Sequence, residues 1–143
     1  MFPRRAGEFP RPFLGALRPE RLTVRFNHLD LQVTDVHKSV EFFEQFFGLE
    51  LQSSRSSPAL AILGDGHGFV LVLQRRDVVA YPAGFHVGFL VDDVETVHAY
   101  HARAKAAGLE VSEVEVNGRG TLTYCVAPDG YFVEVSCQRA RAR

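Results

Sequence analysis

Phe26-Asn-His-Leu-Asp-Leu-Gln-Val-Thr-Asp-Val36 alternates apolar and polar side chains as far as Val33 and then changes rhythm. Successive side chains of a strand point to opposite faces, so Leu29, Leu31 and Val33 take one face while Phe26, His28, Asp30 and Gln32 take the other. Thr34 and Asp35 can cap a helix from 36 to about 47, whose buried stripe is Val36, Val40, Phe43 and Phe47 and whose C-terminal cap is Gly48. Residues 49–52, 59–63 and 69–74 read as three further strands, separated by turn-rich segments.

The same order then begins again. Residues 85–91 form a strand, Asp92 and Asp93 supply the cap, and a helix is expected over 94–107 with Gly108 after it. Strands follow at 109–111, 121–126 and 131–136. His86 lies 58 residues after His28, Gly108 lies 60 after Gly48, and Gly130 lies 62 after Gly68. An offset that grows by two at each landmark is what duplication with small insertions leaves behind. The fold class is therefore α+β, built from two tandem βαβββ modules at about 22–76 and 84–138 within one domain, 22–143. The first 21 residues carry four prolines and five arginines without periodicity, and read as an arm outside the fold.

Composition excludes several classes. A net charge of -1 offers nothing to nucleic acid or an anionic membrane surface. No apolar run approaches the roughly 20 residues needed to span a bilayer, and no signal-peptide core is present, so a cytoplasmic location is the expectation. Cys125 and Cys137 fall too far apart on the last hairpin for a disulfide and are expected as free thiols.

The chemistry begins at Glu134, a single carboxylate between Val133 and Val135 in the last strand. A buried carboxylate is costly unless a cation or hydrogen-bond donors meet it. His28 and His86 are equivalent under the repeat: first strand of each half, same phase. Glu134 corresponds to Val72 in the first half. If the halves pack by pseudo-twofold symmetry, two imidazoles and one carboxylate converge, a set suited to Fe(II), Mn, Co, Ni or Zn with positions left open for substrate.

These residues carry a resemblance. Residues 26–36, Gly48-Leu-Glu-Leu51, the His86 strand and Pro128-Asp-Gly-Tyr-Phe-Val-Glu134 resemble the vicinal oxygen chelate superfamily, which includes glyoxalase I, extradiol dioxygenases, fosfomycin-resistance transferases and bleomycin-resistance proteins. The resemblance covers about 23–137. It implies paired modules forming a half-open eight-stranded barrel, usually in a homodimer, with a divalent metal held by His28, His86 and Glu134 and a small-molecule substrate bound to it. Glyoxalase-like members usually add a fourth ligand at the position of Val72, which cannot ligate; Gln74, on the same face, is the neighbouring candidate. Extradiol dioxygenases resemble the segment from Tyr124 to Glu134 but want a histidine before the tyrosine, where Val116-Asn-Gly-Arg-Gly120 has none. Fosfomycin transferases commonly carry Thr two residues after the first histidine, where this chain has Asp30. The catalytic candidates are thus Tyr124 and Asp30, with Arg75, Arg76 and Arg119 as possible cations for an anionic substrate. A metal-dependent enzyme is the expected function, and a sequestering protein of the bleomycin-resistance type is the alternative.

Overall fold

Both halves repeat one hydrogen-bond register. The computed structural model describes residues 23–52 and 57–139; the N-terminal arm lies outside the described residues. In chain order the first half holds β1 (His28–Val33), α1 (Val36–Phe47), β2 (Glu50–Leu51), β3 (Leu60–Gly64) and β4 (Val70–Arg75). The second holds β5 (His86–Leu90), α2 (Val94–Ala106), β6 (Glu115–Asn117), β7 (Gly120–Val126) and β8 (Phe132–Gln138). Two four-stranded sheets result, ordered β1-β4-β3-β2 and β5-β8-β7-β6. In the first, parallel β1 and β4 pair His28 with Val70 and Asp30 with Val72. In the second, parallel β5 and β8 pair His86 with Phe132 and Gly88 with Glu134. The offsets of 58 and 62 read from landmarks are thus kept strand by strand, and the two βαβββ modules are present.

Both helices start where short polar side chains can satisfy free N–H groups. The Asp35 carboxylate accepts from the Lys38 N–H at 3.0 Å, and Asp93 accepts from the Thr96 N–H at 2.7 Å. Gly48 ends α1 at φ 64°, in the left-handed region that a terminating residue needs. Residues 109–111, expected as a strand, contribute one isolated bridge, Val111 to Cys125. That bridge is the counterpart of Leu51 paired with Leu63. The strand neighbouring β7 is instead β6, which the sequence reading did not foresee because three residues carry too short an alternation to register.

The core lies on the helix side of each sheet. Leu31, Val33, Leu63, Leu71 and Leu73 are buried with Val40 and Phe43 of α1; Val133, Val135 and Cys125 are buried with Tyr100 and Ala104 of α2, and all belong to one continuous cluster. The halves meet on that side. Phe47 stacks on Phe89 with ring centroids 4.8 Å apart and tilts against Tyr100 at 5.4 Å, and Arg103 donates to the Phe46 carbonyl at 2.9 Å. A second seam joins the Thr34 hydroxyl to Asp129 at 2.7 Å and the Tyr81 hydroxyl to the Gln32 carbonyl at 2.6 Å. The opposite faces are left open at their rims: His28, Asp30 and Gln32 are exposed on β1, and Leu90 is 68% exposed on β5. Both cysteines are free. Among the described residues no helix is long and apolar enough to cross a membrane.

Candidate metal centre

Glu134 sits in the middle of β8 and is only 3% exposed. Its neighbours Val133 and Val135 point into the core, which turns the carboxylate onto the open face of the second sheet. Arg119 meets it there: Nη2 donates to Oε1 at 2.8 Å and to Oε2 at 3.0 Å. Burial pushes the carboxyl pKa up, but hydrogen bonds from Tyr124, Arg119 and Ser136 outweigh it and leave the group below its ordinary 4.5. Glu134 is therefore a fixed, buried anion at neutral pH.

Arg119 reaches this point from the tight connection between β6 and β7, where Asn117 pairs with Gly120. The Asn117 Oδ1 accepts from the Arg119 N–H at 2.8 Å and pins the backbone. Gly120 adopts φ 145°, and a Cβ there would strike the Cys137 carbonyl oxygen. Only glycine lets this turn lie so close to β8.

His86 approaches Glu134 from the adjoining strand. Its Nδ1 lies 2.9 Å from the Gly84 carbonyl, and its Nε2 lies 3.9 Å from Glu134 Oε2. A carbonyl oxygen only accepts, so Nδ1 carries a proton and Nε2 is the nitrogen turned toward the carboxylate. Such an arrangement suits a ligating imidazole, whose second nitrogen is usually held by an outer oxygen. Tyr124 sets the edge of this pocket, its ring 5.8 Å from that of His86. Burial, and then the hydrogen bond to Glu134, push its phenol pKa up, so it stays protonated.

His28 repeats the arrangement on the other sheet, with Nδ1 2.8 Å from Asn27 Oδ1 and Nε2 left free by that bond. Within one chain it does not join the other two. Among the described residues no three His, Cys, Asp or Glu side chains stand close enough to hold a metal ion. The fold therefore assembles His86 with Glu134 and leaves the third expected ligand on the first sheet. Two imidazoles with held Nδ1 atoms and one buried carboxylate are donors that fit a first-row divalent ion.

Asp30 lies beside Val72 in register, and its Oδ2 accepts from Gln74 Nε2 at 2.7 Å. The Gln74 Oε1, the atom through which that side chain could ligate a metal, accepts from Arg76 at 3.1 Å. Gln74 thus orients Asp30. Arg75 pairs with Asp77 at 3.3 Å, which leaves Arg119 as the arginine at Glu134. The signal that could have placed it was Gly118-Arg119-Gly120, a turn between two short extended runs. On α2, His98 is exposed, while His101 stands 3.9 Å from Glu113. A cavity of about 910 Å³ beside α1, lined by Thr34, His37, Glu41, Glu44 and Arg75, contains none of His28, Asp30, His86, Tyr124 and Glu134.

Residues 25–135 match the model of the Glyoxalase/Bleomycin resistance protein/Dioxygenase superfamily. The chain is 32% identical over 122 residues to a protein named "Probable lactoylglutathione lyase" from Vibrio cholerae, covering 78% of this chain and 88% of that one. A solved structure described as a possible glyoxalase from Bacillus cereus superposes with a TM-score of 0.74 at 35% identity, covering 80% of this chain and all of the other. A mutant of the fosfomycin resistance protein FosX from Listeria monocytogenes, complexed with Mn(II) and 1S,2S-dihydroxypropylphosphonic acid, shares the fold at a TM-score of 0.70 and 21% identity, over 82% of this chain and 95% of its own.

Proposed function

Since the chain belongs to the glyoxalase/bleomycin resistance protein/dioxygenase superfamily, we propose that it is a divalent-metal-dependent enzyme acting on a small molecule that offers two neighbouring oxygens. The observation that carries this reading is the His86–Glu134 pair: an imidazole whose Nδ1 is held by Gly84, with its free nitrogen 3.9 Å from a buried carboxylate. Two ligands each about 2 Å from one ion lie roughly 3 Å apart, so a closure of about 1 Å makes them co-ligands. The third ligand is His28 of a second copy, because the open face of each sheet needs a covering surface and His28 waits on one such face. The working unit is accordingly a homodimer. The ion, when bound, polarises the substrate oxygens and stabilises the negative charge that develops on them.

The remaining residues have roles set by position. Asp30 is the base, held in one orientation by Gln74 and Arg76. Its placement answers the missing carboxylate at Val72. In the second half the cross-strand pair is Gly88 with Glu134; in the first it is Asp30 with Val72. Each half thus keeps one carboxylate at the same level of the sheet, on opposite strands. Tyr124, kept protonated, donates to Glu134, and its hydroxyl is free to turn that hydrogen bond to the reacting oxygen once an ion takes the carboxylate. This inventory favours proton transfer of the lyase or isomerase kind over O2 chemistry, for which the expected histidine before Tyr124 is missing.

Elemental analysis of protein purified without chelators, with His86→Ala and Glu134→Gln beside the wild type, tests the reading. One ion per chain in the wild type and its loss in both variants is the expected result; an ion-free wild type after exposure to Mn(II), Fe(II), Ni(II), Co(II) and Zn(II) in turn would sink it. The second reading, a sequestering protein, is favoured by the Arg119–Glu134 ion pair, which neutralises the carboxylate without a metal. Apolar Leu90 and Phe132 on the same face would then meet the ligand.

A further inference from the structure

We propose that Arg119 is a displaceable latch on Glu134: its guanidinium holds the carboxylate until a divalent cation takes that carboxylate over, so that metal uptake and release of the arginine side chain are one event. This rests on the metal reading above and adds a residue that the reading does not require. Glu134 is nearly inaccessible, so it needs a counter-charge in every state the protein visits. One nitrogen, Nη2, straddles both carboxylate oxygens at 2.8 and 3.0 Å, leaving neither oxygen free of the arginine. An ion bound about 2 Å from either oxygen would stand within about 4 Å of that guanidinium, where two positive charges repel strongly in a partly dry site. The two occupants therefore compete for the carboxylate.

The surroundings let the arginine leave. Its side chain is 57% exposed, against 4% for that of Glu134. Its backbone, by contrast, is fixed by Asn117 and by the close approach of Gly120 to β8. A pinned backbone carrying an exposed side chain lets the guanidinium leave by its own torsions, with no rearrangement of the sheet. The latch spares Glu134 an uncompensated charge in the metal-free protein, and it weakens metal binding by the work of displacing it.

Calorimetric titration of metal-stripped dimer with Mn(II), using wild type, Arg119→Gln and Arg119→Lys, tests the latch. The expected result is an affinity about tenfold tighter for R119Q than for the wild type, with R119K between them. In parallel, phenylglyoxal labelling read by peptide mass mapping should show Arg119 protected in stripped protein and labelled faster once Mn(II) is bound. Equal or weaker affinity in R119Q, or labelling of Arg119 that ignores Mn(II), overturns the latch while the metal reading stands. Uptake by R119Q alone would show that Mn(II) does not displace Arg119 and overturns the latch. Failure of all three proteins to take up Mn(II), with circular dichroism showing them folded, overturns the latch together with a Mn(II) site.

Discussion

A glutamate between two core valines is buried and bonded through both oxygens to one guanidinium. Its position was legible from the sequence, because a period of two is local: Val133 and Val135 inward places Glu134 outward. Its partner was not, because Arg119 arrives from 15 residues away through a turn whose geometry no periodicity encodes. The carboxyl stands below 4.5, so its stabilising contribution is fully present above that value and is lost as pH falls through the lower folded-state pKa. Urea unfolding of the wild type between about pH 6 and 3 should therefore steepen at the acid end relative to Glu134→Gln. At neutral pH the variant should be less stable by about 2 kcal/mol, the usual loss for a buried acceptor bonded to charge. Identical pH profiles for the two proteins would show that the carboxylate is not held as described.

At the scale of elements, the β6–β7 connection decides the site. β6 spans three residues and gives little sequence signal, yet its turn carries Arg119 to β8. Gly120 makes this possible, since its φ of 145° and its contact with the Cys137 carbonyl leave no space for a side chain. Gly120→Ala should cost about 3 kcal/mol or more in urea unfolding, from backbone strain and collision together. Gly118→Ala, where nothing lies within 4 Å of the added carbon, should cost far less. Similar losses at the two positions would mean that the turn relaxes and does not hold Arg119 in place. Helix positions were easier to read, because capping residues and apolar stripes are written contiguously: α1 spans Val36–Phe47 as expected.

For the whole molecule, the governing fact is that the halves join through their helix sides. Phe47 against Phe89 and Tyr100 closes that seam, and among the described residues of one chain His28 forms no ligand group with His86 and Glu134. If a homodimer completes the site, ligand defects on different chains complement each other. His28→Ala and Glu134→Gln should each abolish metal binding. Mixed after partial unfolding and refolding, they should regain about one quarter of the wild-type sites, because half of a random mixture is heterodimer and each heterodimer holds one intact site. No recovery in mixtures shown by mass spectrometry to contain heterodimers would place all three ligands in one chain.

The amino-acid sequence alone determined the two βαβββ modules, the equivalence of His28 with His86, and that of Val72 with Glu134. Each depends on strand period, capping and turn residues, all of which act over a few neighbours. Tertiary structure alone decided which equivalent residues meet. It set Arg119 on Glu134, Gln74 on Asp30, and His86 within 3.9 Å of the carboxylate while His28 stays on the other sheet. Those contacts depend on how twisted sheets and helix faces pack across long stretches of chain, a balance of many distant interactions that no local pattern records.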